Sequence, residues 1–133
     1  MGLGTSAARP GFRKPCAVEA GALHDVWGAR PPAFPSSVRL YMQTFRNWSG
    51  EICTEALWTC VPATPNDVVV VANWAHGRGW RMRPRGRAHN WSPLVIPRGD
   101  RENVLIVDTT HKLTAVRVSL GAPASVTAQS GVT

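Results

Sequence analysis

At 133 residues the chain is long enough for one domain with a sizeable core and too short for two. Hydrophobic residues make up 44% and charged residues 17%, with six Trp, a composition that excludes wholesale disorder, and no apolar run approaches the ~20 residues of a membrane helix. Fifteen Lys and Arg against eight Asp and Glu give a net charge of +7, an excess suited to an anionic partner.

Residues 1–33 are rich in Gly, Ala, Pro and Arg and show neither helical nor strand periodicity, so they read as a flexible tail. They also lack the apolar core of a signal peptide, and the chain is expected to be soluble with no recognisable address. From Ser37 the sequence turns apolar and aromatic, and Leu57 to Val61 reads as a short buried strand stopped by Pro62. Thr64-Pro65-Asn66-Asp67 then supplies an N-cap, a proline at the first helical position and an acid three residues after the cap. Val68, Val71, Ala72 and Ala75 recur at helical spacing, Val70 and Trp74 widen the stripe, and Gly77 or Gly79 ends it, which predicts a helix over about 65–77. Trp80 to Arg85, Val104 to Val107 and Val116 to Leu120 read as further strands, and residues 124–133 as one more strand entering a Gly turn.

A strand, a crossover helix and a second strand imply a parallel unit, whose ligands bind beyond the carboxyl ends of the strands. The expected fold is therefore α+β, a small mostly parallel sheet with a crossover helix. No element closes the sheet after residue 133, so an amino-terminal piece of a longer protein with an exposed sheet edge is expected.

Thirteen of the fifteen cations are Arg, the side chain best shaped for bidentate capture of phosphate or carboxylate. Seven of them, Arg78, Arg81, Arg83, Arg85, Arg87, Arg98 and Arg101, fall within one short stretch. Its centre, Arg83 to Leu94, joins a strand end, Gly86 and His89 in a loop pinned by Pro84 and Pro93. Backbone N–H groups of a tight Gly turn backed by guanidinium groups form an anion site of the kind that holds a pyrophosphate; the bland alternative is a solvated basic loop.

Cys16, Cys53 and Cys60 contain no CxxC pair and read as buried thiols. His24, His76 and His111 have no partners at ligand spacing, so no metal is expected. The chain carries no GxSxG, HExxH, GxxxxGK[ST] or strand-positioned GxGxxG, which leaves hydrolase, zinc-protease and P-loop readings without support. Two Asn-Trp-Ser triplets, at Asn47 and Asn90, fit the glycosylation sequon; the second lies in the basic loop, and both are read as chance.

The run from Pro65 to Leu94 resembles the flavin-binding lobe of the vanillyl-alcohol oxidase type of FAD oxidoreductases. His89-Asn90-Trp91-Ser92-Pro93-Leu94, with Asn73-Trp74-Ala75 and the segment Phe45 to Ile52, is most similar to the covalent-flavin class of cholesterol oxidases. The resemblance covers residues 34–133 and implies a partial PCMH-type FAD-binding domain. It implies that Arg85, Gly86, Arg87 and Ala88 line the FAD pyrophosphate, that His89 bonds to the flavin 8α-methyl carbon with Asn90 beside it, and that Asp108-Thr109-Thr110 is the strand-end segment that follows. Many relatives have two consecutive glycines where this chain has Arg87-Ala88. The turn Gln129-Ser130-Gly131-Val132-Thr133 resembles the next flavin-facing turn. The implied activity is oxidation of a sterol-like secondary alcohol by dioxygen, in a parent protein whose substrate domain and catalytic side chains lie beyond residue 133. FAD and the sterol-like substrate are then the partners, with no nucleic acid and no transmembrane segment.

The main rival is a nucleic-acid-binding module, with the clustered Arg on phosphates and Trp74, Trp80 and Trp91 as stacking platforms. It leaves unexplained why the capped helix feeds into an Arg-Gly-x-x-His loop. A truncated, non-functional fragment is the third alternative.

Overall fold

Six strands and one helix are arranged as a four-stranded sheet and a separate hairpin in the computed structural model of the chain, which describes residues 30–92, 94–95 and 103–132. Strand β1 (Arg39–Arg46) turns at Gly50, φ 79°, into its antiparallel partner β2 (Cys53–Val61). Helix α1 (Pro65–Gly77) follows, then β3 (Arg81–Arg85) and β4 (Val104–Asp108). The sheet order is β1-β2-β4-β3, with β4 parallel to both neighbours. Strands β5 (Val116–Ser119) and β6 (Ser125–Ala128) pair only with each other.

Strand β4 is interior because every one of its five residues is buried, and a strand covered on both faces needs no polar alternation. Leu105 and Val107 point to one face, where they meet Val38, Cys60 and Val71 of α1. Ile106 points to the other, against Phe45 and Leu57, with Ile52, Ala88 and Val95 packed on them. The helix thus covers one face, and the segment after β3 contributes to the cover of the other.

Helix α1 spans the predicted residues because its start is chemically written. Thr64 is the N-cap, its hydroxyl accepting from Asp67 N at 3.1 Å, and the Asp67 carboxylate accepts in return from Thr64 N and Ala63 N at 2.9 Å each. These backbone donors, Thr64 first, hold the Asp67 carboxyl below its ordinary range. Val71 and Ala75 are buried, while Ala72, expected in the apolar stripe, is exposed. Trp74 meets Phe34 edge-on at 5.0 Å and lies 5.3 Å from Trp80, its Nε1 donating to Pro32 O. Thr64→Ala is expected to lower stability by about 1 kcal/mol, since a first-turn N–H loses its acceptor; an unchanged urea midpoint would show that the cap contributes nothing.

Several expectations need correction. Two of the three strand pairings in the sheet are parallel, as expected, but the sheet is mixed, because β1, which the sequence pattern did not reveal as a strand, joins antiparallel. A register shift between Gln43 and Phe45 breaks its alternation, and such an irregularity conceals a strand from a period-two reading. Strand β2 begins at Cys53, four residues before the expected start. The last two strands do not extend the sheet; they form a separate antiparallel hairpin. Cys53 is disulfide-bonded, so only Cys60 keeps the expected buried thiol among the described residues. Most of the tail, with Cys16 and His24, lies outside the described residues, as do Pro93, Arg98 and Arg101.

Candidate functional site

The parallel ladder sets Arg85, the last residue of β3, opposite Asp108, the last residue of β4. Paired residues of adjacent strands share a face, and here the two side chains meet, Arg85 Nη1 lying 3.3 Å from Asp108 Oδ2. The Asp108 carboxylate is only 1% exposed, so it requires partners. Its Oδ1 accepts from Thr110 N at 3.0 Å and from the Thr110 hydroxyl at 2.6 Å, and His111 Nε2 stands 3.7 Å from Oδ2. Arg85 lies over the Phe45 ring, 5.8 Å from its centroid.

This pairing fixes the root of the basic loop at the carboxyl end of two parallel strands. Gly86 follows with open space around it, since a Cβ there would touch nothing within 4 Å. Ala88 adopts φ 59°, in the left-handed region that favours glycine. His89 is exposed. The residues on either side of it are tied to the β1–β2 turn: Trp48 N donates to Ala88 O at 3.0 Å, and Asn47 Nδ2 donates to Asn90 O at 3.1 Å. Trp48 and Trp91 meet edge-to-face at 5.0 Å.

Two buried polar atoms of the loop have no hydrogen-bond partner, Arg85 Nε and Asn90 Oδ1. An unsatisfied donor and acceptor at one strand end fit a bound polar group. Of the other clustered Arg, Arg83 Nη1 donates to Leu94 O at 3.3 Å. Trp74 and Trp80, needed as stacking platforms by the nucleic-acid reading, pack against the core. Among the described residues no group of three His, Cys, Asp or Glu is placed to hold a metal ion, and no helix is long and apolar enough to cross a membrane.

The structure therefore brings Arg85 and Asp108 into contact and strings Gly86, Arg87, Ala88, His89 and Asn90 along the loop they anchor. Sequence reasoning placed Phe45, Trp48 and Thr110 only within the resemblance, read Asn47 as a chance sequon and His111 as an unpartnered histidine, and gave none of them a role in supporting the loop; the repeated Asn-Trp-Ser triplet was the available signal for Asn47 and Trp48. Burial raises the Tyr41 hydroxyl above its ordinary value, with the Asp108 charge acting in the same direction. Burial also pushes the Cys60 thiol up to about 12, so Cys60 is a packing residue and not a nucleophile.

No family model and no curated protein sequence matches the chain. Among solved structures, the cholesterol oxidase from Brevibacterium sterolicum is similar, with 44% sequence identity and a TM-score of 0.73 over 77% of this chain. A histidine-to-alanine variant of the B. sterolicum enzyme matches at 43% and 0.72 over 77% of the chain, and a solvent-stable cholesterol oxidase at 44% and 0.73 over 78%. The chain spans 19–20% of the length of these structures.

Proposed function

We propose that this cholesterol oxidase-like chain is the FAD-binding portion of a flavin-dependent oxidoreductase, with residues 34–133 as part of a PCMH-type domain and α1 as its crossover helix. The observation that carries the reading is the Arg85–Asp108 pair rooting an Arg-Gly-x-x-His loop at the carboxyl end of parallel strands, in a chain 44% identical to a cholesterol oxidase. The unpaired Arg85 Nε donor, with clear space over Gly86, fits a diphosphate-bearing cofactor.

In this reading Arg85, Arg87 and the backbone of Gly86 and Ala88 hold the pyrophosphate, Asp108 keeps Arg85 in place, and His89 bears the flavin through its 8α-methyl carbon. Bound FAD supplies the hydride-accepting and dioxygen-reducing chemistry, here for a sterol-like secondary alcohol. The chain's own contribution is charge and position: guanidinium groups neutralise the phosphates, and a histidine used as a nucleophile must present a neutral ring nitrogen.

Chain incubated with FAD under air is expected to remain yellow after acid precipitation, because a carbon–nitrogen bond survives unfolding. His89→Ala should bind FAD in the native state and release all of it on denaturation. Wild-type protein that gives up its flavin in acid, or a variant that retains it, would remove His89 as the attachment point.

A further inference from the structure

The two Asn-Trp-Ser triplets face each other. Asn47 is only 3% exposed, and its side chain serves three partners: Oδ1 accepts from Ile52 N at 3.0 Å, while Nδ2 donates to Ser49 Oγ at 3.0 Å and to Asn90 O at 3.1 Å. The neighbouring Trp48 N–H holds Ala88 O, and the Trp48 and Trp91 rings close the contact from outside. Asn90 Nδ2 donates within its own triplet, to Ser92 O at 2.7 Å. His89 thus lies between two carbonyls pinned by one turn of the β1–β2 hairpin.

We propose that Asn47 is the positioning residue for His89: by tying Asn90 to the β1–β2 turn it fixes the backbone that presents the imidazole to the flavin. The proposal rests on His89 as the flavin-bearing residue. Attachment forms one bond between a ring nitrogen of His89 and the 8α carbon and breaks one N–H and one C–H bond; the two protons and two electrons released pass to dioxygen, which leaves as hydrogen peroxide. That bond requires near-attack geometry, whereas phosphate capture by Arg85 tolerates looseness further along the loop. Asn47 should therefore act on the rate of attachment and hardly on the affinity for FAD. Burial of Asn47, with its Nδ2 donating to both Ser49 Oγ and Asn90 O, leaves the first triplet without an accessible amide for glycosylation.

Asn47→Asp separates the roles, since a carboxylate still accepts from Ile52 N but cannot donate to Asn90 O; Asn47→Ala removes both. With FAD saturating, covalent incorporation should slow by about 100-fold in Asn47→Asp, the size of effect an ångström of misplacement produces, while the dissociation constant measured before attachment stays close to that of wild type. Backbone relaxation of the apo chain gives the flavin-independent arm. The His89 order parameter should be near the ~0.85 of rigid backbone in wild type and fall below ~0.6 in Asn47→Asp, with β4 amide protection preserved as evidence of an intact fold. A mobile His89 in the wild-type apo chain, or unchanged attachment in a folded Asn47→Asp, overturns the proposal. Wild type that holds His89 rigid yet never attaches flavin overturns the reading of His89 itself, and the role of Asn47 in attachment with it.

Discussion

Asp108→Ala is expected to destabilise the fold by about 2–3 kcal/mol, the cost of leaving buried donors without their acceptor, because the Arg85 side chain is 23% exposed and its charge is still partly solvated. Three donors converge on this carboxylate, from Arg85 Nη1, Thr110 N and the Thr110 hydroxyl, and alanine leaves them beside a 1% exposed site that solvent reaches poorly. Asp108→Asn keeps an acceptor for Thr110 and should lose less. The two variants together divide the effect between hydrogen bonding and charge. Urea unfolding of both, with FAD titration of whatever folds, is the measurement: loss of the Arg85 anchor should weaken FAD binding in each. Stability within error of wild type in Asp108→Ala would show that the pair is incidental.

Gly131→Ala is expected to cost about 3 kcal/mol, the upper part of the range for overpacking. A Cβ on Gly131 would overlap the Thr109 carbonyl and come within 2.7 Å of Leu113 O. Both obstacles are backbone, so neither can rotate aside as a flexible side chain would. Gly131 N also donates to Leu113 O at 2.8 Å, and the turn must lift off the segment that follows Asp108. The expected readouts are a lower urea midpoint and faster proteolysis within residues 129–132. A variant with wild-type midpoint and cleavage would mean that this turn is not held as described.

What the sequence disclosed follows from how local each interaction is. The helix was readable because Thr64, Pro65 and Asp67 place its cap, first turn and box within four residues, and β4 because the unbroken apolar run Val104 to Val107 has few other uses. Strand β1 was concealed by its register shift. The destination of β5 and β6 could not be read because their alternation is the same whether they join the sheet or each other. At the site, the Arg-Gly-x-x-His loop was contiguous and visible. Its support was not, because Asn47 and Asn90 are 43 residues apart, and only the parallel register reveals that Arg85 meets Asp108.

The hairpin has a consequence for how the protein behaves in a tube. Val116 stands opposite Ala128 and Val118 opposite Val126, giving one apolar face whose valines are 52–65% exposed, while the chain carries +7. In dilute buffer like charge keeps copies apart, but repulsion between exposed charges reaches only about 10 Å at 0.1 M salt and 3 Å at 1 M. Apolar attraction is not screened this way. Ionic strength therefore governs colloidal stability, and the high-salt washes commonly used to strip anions from a basic protein work against keeping this one dispersed.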